Sequence, residues 1–135
     1  CLQAQQFVKF ARECGIVGEK GGRGGRRGVS EAEVNVVYVS EVKRKGRVGS
    51  RQKMNFGDFL TSLMKLSVRV YPAEARKSVD DAFQRLLVDN VLRYAGRRDP
   101  DSVAVFLEDP DVAKLEAYYH DALEQIFFFY ATGSD

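Results

Sequence analysis

Residues 29–71 read VSEAEVNVVYVSEVKRKGRVGSRQKMNFGDFLTSLMKLSVRVY, and this stretch decides the fold. Ser30 and Glu33 have the spacing of a capping box, in which the hydroxyl accepts from one backbone amide and the carboxylate accepts from the other. A helix is therefore predicted to begin at this point. Its apolar face comprises Val34, Val37, Tyr38 and Val42.

A strand is the alternative for the same residues. Valines stand at positions 34, 36, 37 and 39, and they partly alternate as the inward side chains of a strand do. We predict the helix on the strength of the capping box.

A second helix is predicted after Asn55, whose side chain can cap it, and Pro72 marks its end. The apolar face of this helix comprises Phe56, Phe59, Leu60, Leu63 and Val70. Two amphipathic helices joined by about a dozen residues form the outline of an EF-hand.

An EF-hand that binds calcium carries oxygen ligands at about loop positions 1, 3, 5 and 12. If Met54 takes the apolar eighth position, these positions fall on Arg47, Gly49, Arg51 and Asp58. Residues 42–55 contain six Lys or Arg and no Asp or Glu, so a divalent cation is repelled. We therefore expect no calcium and no other metal or cofactor, although the loop can keep EF-hand geometry.

The order of these motifs resembles the core of the tubulin polymerization-promoting protein family. The shared features are a serine-capped helix with an aromatic residue and Val-Lys near its end, and a segment of the pattern apolar-x-Phe-x-x-Phe. They fall on Ser30, Tyr38, Val42, Lys43, Met54, Phe56 and Phe59. Asn35, where the family favours an acid, and the Gly/Arg-rich connection before Ser30 depart from the family pattern. The resemblance covers about residues 5–95.

The resemblance implies an all-α fold. EF-hand-like helix pairs would form a core in residues 1–95, with the first helix missing, and residues 96–135 would form a C-terminal helical extension. The resemblance also implies a non-enzymatic, microtubule-associated protein that binds tubulin or axonemal proteins without calcium. The expected locations are the cytoplasm and the cytoskeleton, including a cilium or flagellum. Neither a membrane nor nucleic acid is an expected partner.

Charge is distributed unevenly along the chain. Residues 1–71 contain 14 Lys/Arg and 6 Asp/Glu, whereas residues 72–135 contain 7 and 13. Two stretches concentrate the positive charge, and we call residues 20–27 the first basic segment and residues 43–53 the second. Because basic segments attract acidic surfaces, we predict that they bind the partner. The predicted contact residues are Lys20, Arg23, Arg26, Arg27, Lys43, Arg44, Lys45, Arg47, Arg51 and Lys53.

Two other functions stay open. A helical adaptor would hold a helix of a partner protein in a hydrophobic groove, and salt would affect its binding little. Binding of single-stranded nucleic acid through the first basic segment would depend steeply on salt. However, Arg23-Gly24-Gly25 is a single copy without interleaved aromatic residues, and phosphate-binding glycine motifs are absent.

Helices are also predicted outside the central stretch. An N-terminal amphipathic helix would end at Gly15, and Gly96 would end a helix of the second half. The first carries Leu2, Gln6, Phe7, Phe10, Ala11 and Cys14, and the other carries Val79, Phe83, Leu86, Leu87 and Val91. Asp99-Pro100 and Asp109-Pro110 predict the starts of a short helix near residues 102–107 and of a long helix that ends near Ala131.

The end of the long helix suggests a partner for the N-terminal helix. Residues 123–131, LEQIFFFYA, resemble the helix with which units of the family open. We hypothesise either that a parent protein repeats this unit or that the long helix folds back on Phe7 and Phe10. Phe128 and Phe129 interrupt its amphipathic pattern, which predicts burial on more than one face.

Catalytic chemistry finds no support in the sequence. His120 and Asp121 are adjacent, so on a helix their side chains point about 100° apart and form no dyad. Ser62 matches S-x-x-K without the accompanying motifs, and it is predicted to lie on a helix surface. Cys1 and Cys14 have neither metal-ligand spacing nor a disulfide framework. No apolar run approaches the roughly 20 residues of a membrane span.

Overall fold

The computed structural model describes residues 2–18, 28–44, 53–95 and 112–132. Its helices are α1 (Ala4–Glu13), α2 (Glu31–Arg44), α3 (Phe56–Val70), α4 (Pro72–Lys77), α5 (Val79–Leu86), a π-helical turn (Leu87–Val91), α6 (Leu92–Tyr94) and α7 (Val112–Ala131). The predicted all-α class is confirmed, and strand-like pairing in the described ranges consists of isolated bridges. EF-hand-like pairing of the helices and the division at residue 95 stay predictions, as does the short helix near residues 102–107, which lies outside the described residues.

Helix α2 begins at the predicted capping box. The Ser30 amide donates to Glu33 Oε2 at 3.0 Å, and the Glu33 amide donates to Ser30 Oγ at 3.1 Å. The predicted apolar face is buried, whereas Val36 and Val39 are 60% and 40% exposed. The strand alternative is therefore wrong, because burial follows the helical period.

Helices α1 and α3 begin in the same way. The Gln3 amide donates to Gln6 Oε1 at 2.8 Å, and the Asn55 amide donates to Asp58 Oδ2 at 3.1 Å. Leu2 precedes the capping box of α1 and Met54 precedes that of α3. These two residues pair in an antiparallel bridge with two hydrogen bonds of 2.8 Å. Leu2 was expected on the apolar face of α1, but the helix begins at Ala4 because this bridge takes both backbone groups of Leu2.

Helices α1 and α2 form an antiparallel hairpin. At one end Arg12 Nε lies 3.6 Å from Glu31 Oε1, and near the other the Tyr38 hydroxyl donates to the Leu2 carbonyl at 2.8 Å. Gly15 has a φ of 71°, a conformation that suits glycine and that ends α1 as predicted. A parallel bridge of Val17 with Val29 then joins the two helices at the Arg12 end.

The predicted helix of residues 79–95 contains a π-helical turn that the pattern did not indicate. Within that turn Asn90 is 1% exposed, its Nδ2 donates to the Cys14 carbonyl at 2.9 Å, and its Oδ1 accepts from the Tyr71 hydroxyl at 2.5 Å. The turn thus places one amide between the end of α1 and the junction of α3 with α4. Val79, expected in the core, is 44% exposed because it is the first helical residue after the Ser78 cap.

We expect Asn90→Leu to lower the free energy of unfolding by about 1–3 kcal/mol, because the Cys14 carbonyl loses a buried donor and the Tyr71 hydroxyl loses a buried acceptor. Tyr71→Phe is the matched control: it removes the hydrogen bond to Asn90, keeps the one from Asn90 to Cys14, and should cost only about 1 kcal/mol. Urea denaturation followed by circular dichroism measures both. Equal losses for the two variants would contradict a special role for the contact with Cys14.

Helix α3 lies at the centre of the described fold, where it packs against α2, α4, α5 and α7. The prediction that Ser62 lies on a helix surface is wrong, because Ser62 is fully buried. A helix with neighbours on several sides buries more than one stripe, so the short polar side chain of Ser62 is enclosed as well.

Candidate functional site

Three of the predicted contact residues belong to the described part of the chain. Lys43 and Arg44 form the last turn of α2, where positive charge is favourable at a helix C-terminus, and the Lys43 and Lys53 side chains are exposed. The other predicted contact residues lie outside the described residues: Lys20, Arg23, Arg26, Arg27, Lys45, Arg47 and Arg51.

The two basic segments are attached to opposite ends of the α1/α2 hairpin. The first joins the chain between Gly18 and Gly28, beside the bridge of Val17 with Val29, and the Gly18 amide donates to the Val29 carbonyl at 3.1 Å. The second begins in the last turn of α2 and ends beside Met54, at the other bridge. Helix α2 has 14 residues, so these ends are about 20 Å apart.

The acid at the twelfth loop position serves the helix cap. Asp58 is fully buried, and its Oδ2 accepts from the Asn55 amide. No cluster of three or more His, Cys, Asp or Glu that could hold a metal ion occurs among the described residues.

A small open pocket lies between α1 and α2, with a volume of about 330 Å³. Val8 and Ala32 supply its apolar wall, and Arg12 and Glu31 stand at one end as an exposed ion pair. Such a pair on a surface is mostly a solvated contact.

Four phenylalanines of α1 and α3 form an aromatic cluster, which we call the aromatic groove. Phe59 is its centre: its ring centroid lies 5.1 Å from that of Phe10, 6.3 Å from that of Phe7 and 6.4 Å from that of Phe56. Phe7, Phe10 and Phe59 are at most 1% exposed, whereas Phe56 is half-buried at the edge. Edge-to-face and stacked rings at these distances add to the stabilisation from burial.

Helix α7 fills the aromatic groove. Leu123, Ile126, Phe127 and Tyr130 are each at most 4% exposed, and they have the i, i+3, i+4, i+7 spacing of one helix face. The Phe127 ring lies 5.5 Å from that of Phe59 and 5.7 Å from that of Phe56. The Tyr130 ring lies 5.4 Å from that of Phe10.

Two hydrogen bonds at the C-terminal end of α7 and a ring contact nearer its middle fix the register of the helix. The Tyr130 hydroxyl donates to Glu13 Oε1 at 2.5 Å, and Gln6 Nε2 donates to the Ala131 carbonyl at 3.5 Å. Towards the start of α7, the His120 ring packs edge-on against Phe56 at 5.3 Å. Directional contacts of this kind favour one alignment of the helix over a shift by one turn.

Other side chains of α7 sit at the margin of the groove. His120 is exposed as predicted, and its Nε2 lies 2.7 Å from Glu124 Oε1, not in a pair with Asp121. Burial raises the pKa of the Tyr119 phenol, so that group stays neutral near pH 7. The expectation of burial on several faces is wrong for Phe128, which is 56% exposed because it points away from α1 and α3.

The sequence did not reveal the Leu2 bridge or the alignment of α7. One signal could have indicated the bridge. Residues 2–7 and 54–59 share a pattern: an apolar residue, then Gln or Asn, two further residues, then Gln or Asp, and finally Phe. Two segments that begin helices in the same way can pair at the residue before each cap.

None of the helices in the described ranges combines the length and the apolarity that a membrane crossing requires. Comparisons of this chain with protein-family models, with curated proteins and with solved structures found no match.

Proposed function

We propose that this chain is a non-enzymatic cytoskeletal domain that binds tubulin or an axonemal assembly through its two basic segments, without calcium. The observation that supports this proposal is the attachment of the two segments. At least one end of each segment adjoins a backbone bridge, the two bridges lie at opposite ends of a helical hairpin, and Lys43 and Arg44 extend the second segment into α2.

The proposed mechanism is electrostatic docking on an acidic polymer, with the helices as scaffold. Segments attached about 20 Å apart can contact two acidic regions at once, and the second contact then forms at a high effective concentration. Because charges at the rim of an interface are screened by ions, binding should weaken as salt increases.

We expect charge reversal in either basic segment to weaken co-sedimentation with microtubules by about tenfold or more, since three favourable charges become repulsive. One variant carries glutamate at Arg23, Arg26 and Arg27, and another carries glutamate at Lys45, Arg47 and Arg51. With both sets changed, binding should be lost at near-physiological salt. Pelleting assays at low and near-physiological salt measure the effect.

The matched control reverses three exposed charges elsewhere, at Arg76, Lys77 and Arg93, and should keep binding within about twofold. Microtubules without the acidic tails of tubulin should bind the unaltered chain poorly. Unchanged pelleting of the two segment variants would defeat the proposal.

A helical adaptor is the second candidate function, and the occupied aromatic groove favours it. A groove lined by Phe10, Phe56 and Phe59 holds an amphipathic helix through four apolar residues at helical spacing. This is the way in which helix-binding domains hold their ligands.

A further inference from the structure

The contact between α7 and the aromatic groove resembles recognition of a ligand. Phe10 and Tyr130 are 120 positions apart in the sequence, yet their rings lie 5.4 Å apart. The helix is held by side chains: rings against Phe10, Phe56 and Phe59, with a tyrosine hydroxyl on Glu13. Recognition of this kind depends on surfaces that face each other and not on the order of elements along the chain.

Every copy of the chain carries both surfaces. Within one chain the contact of α7 with the groove does not depend on protein concentration, whereas contact with a second copy increases with it. In dilute solution the groove is therefore filled from within the same chain. A second copy can compete where its local concentration is high, or where the internal contact is blocked.

We propose that α7 is a transferable helix, and that the aromatic groove of one copy of this chain binds α7 of a second copy. The inference rests on the second candidate function. Identical helices exchanged between identical grooves require no new interface, which makes such exchange a low-cost route to dimers. Copies bound side by side on a polymer would meet the concentration that exchange requires.

Two full-length variants test the proposal by complementation. Phe56→Glu blocks the groove and keeps α7 intact. An acid at the first position of α3 suits the helix dipole, so α3 should persist. Phe127→Glu blocks α7 and leaves the groove intact, since Phe127 supplies contacts to Phe56 and Phe59. In the mixture, α7 of the first variant can enter the vacant groove of the second.

We expect each variant alone to sediment as a monomer and the equimolar mixture to form a 1:1 dimer, with about tenfold more dimer than in either sample alone. Sedimentation velocity and native mass spectrometry measure this. The control mixture replaces Phe127→Glu by Phe128→Glu, whose exposed position leaves the internal contact intact, and it should stay monomeric. A complementary mixture that stays monomeric would overturn the proposal.

Circular dichroism establishes that the variants are folded. If a glutamate variant does not fold, Phe56→Ser and Phe127→Ser replace the pair, with the same expected and contrary results. No microtubules are present in this experiment. A dimer together with absent pelleting would therefore contradict the microtubule proposal alone, and absence of the dimer would contradict the transferable helix alone.

Discussion

We expect Phe59→Ala to lower the free energy of unfolding by about 3–5 kcal/mol, the largest effect of any single substitution proposed for this chain. Phe59 is 1% exposed, and its ring contacts those of Phe7, Phe10, Phe56 and Phe127. Truncation leaves a cavity where three helices meet, and α1 and α7 cannot both move in to fill it. Since a domain of this size has about 5–15 kcal/mol in total, much of the stability would be lost. Urea denaturation followed by circular dichroism measures the change.

Two controls separate this central role from the general effect of losing an aromatic ring. Phe128→Ala removes a ring that is 56% exposed, and it should change stability by no more than about 0.5 kcal/mol. Phe59→Leu keeps most of the volume and should cost about 1–2 kcal/mol. If Phe59→Ala cost no more than Phe128→Ala, the aromatic groove would not be the centre of the fold.

Local features of the fold could be predicted from the sequence. The Ser30 and Glu33 box and the Asn55 cap each depend on residues three positions apart, and the hydrogen bonds form as the spacing indicates. Gly15 ends α1 for a local reason as well, because its positive φ suits a residue without a side chain. Signals of this kind need no knowledge of the rest of the chain.

Features that depend on distant residues could not be predicted. The start of α1 depends on the pairing of Leu2 with Met54, and the π-helical turn places Asn90 against the Cys14 carbonyl. Ser62 is enclosed because α3 has neighbours on several sides, which its own pattern does not indicate. In each case tertiary contacts override the local preference.

The features of the candidate site also fall into local ones, which the sequence indicates, and ones that depend on distant residues. Clusters of positive charge can be read directly from the composition, but their attachment at opposite ends of α2 follows from two bridges between distant residues. The apolar face of α7 was visible as a helical stripe, and its contact with Phe10 of α1 was one of two hypotheses, whereas its contact with Phe59 of α3 was not indicated by the sequence.

The second large effect concerns a buried carboxylate between α2 and α3. Glu41 is 1% exposed, and Lys65 Nζ lies 2.8 Å from its Oε2 in an ion pair that lacks hydrogen-bond alignment. We expect Lys65→Met to lower the free energy of unfolding by about 2–4 kcal/mol, because a buried charge then has no compensating partner. The expected loss of stability is smaller than for a fully buried ion pair, because the Lys65 side chain is 34% exposed.

The double variant Glu41→Leu with Lys65→Met decides whether charge is the cause. Replacing both members of a buried pair by apolar groups of similar size is often neutral, so the double variant should be within about 1 kcal/mol of the unaltered chain and more stable than Lys65→Met alone. Glu41→Leu alone should cost less than Lys65→Met, because the ammonium group can turn to water. Additive losses in this double-mutant cycle, measured by urea denaturation, would contradict the charge argument and assign the effect to packing. A double variant of restored stability would mean that the α2/α3 contact does not depend on this pair, although the buried carboxylate of Glu41 requires Lys65.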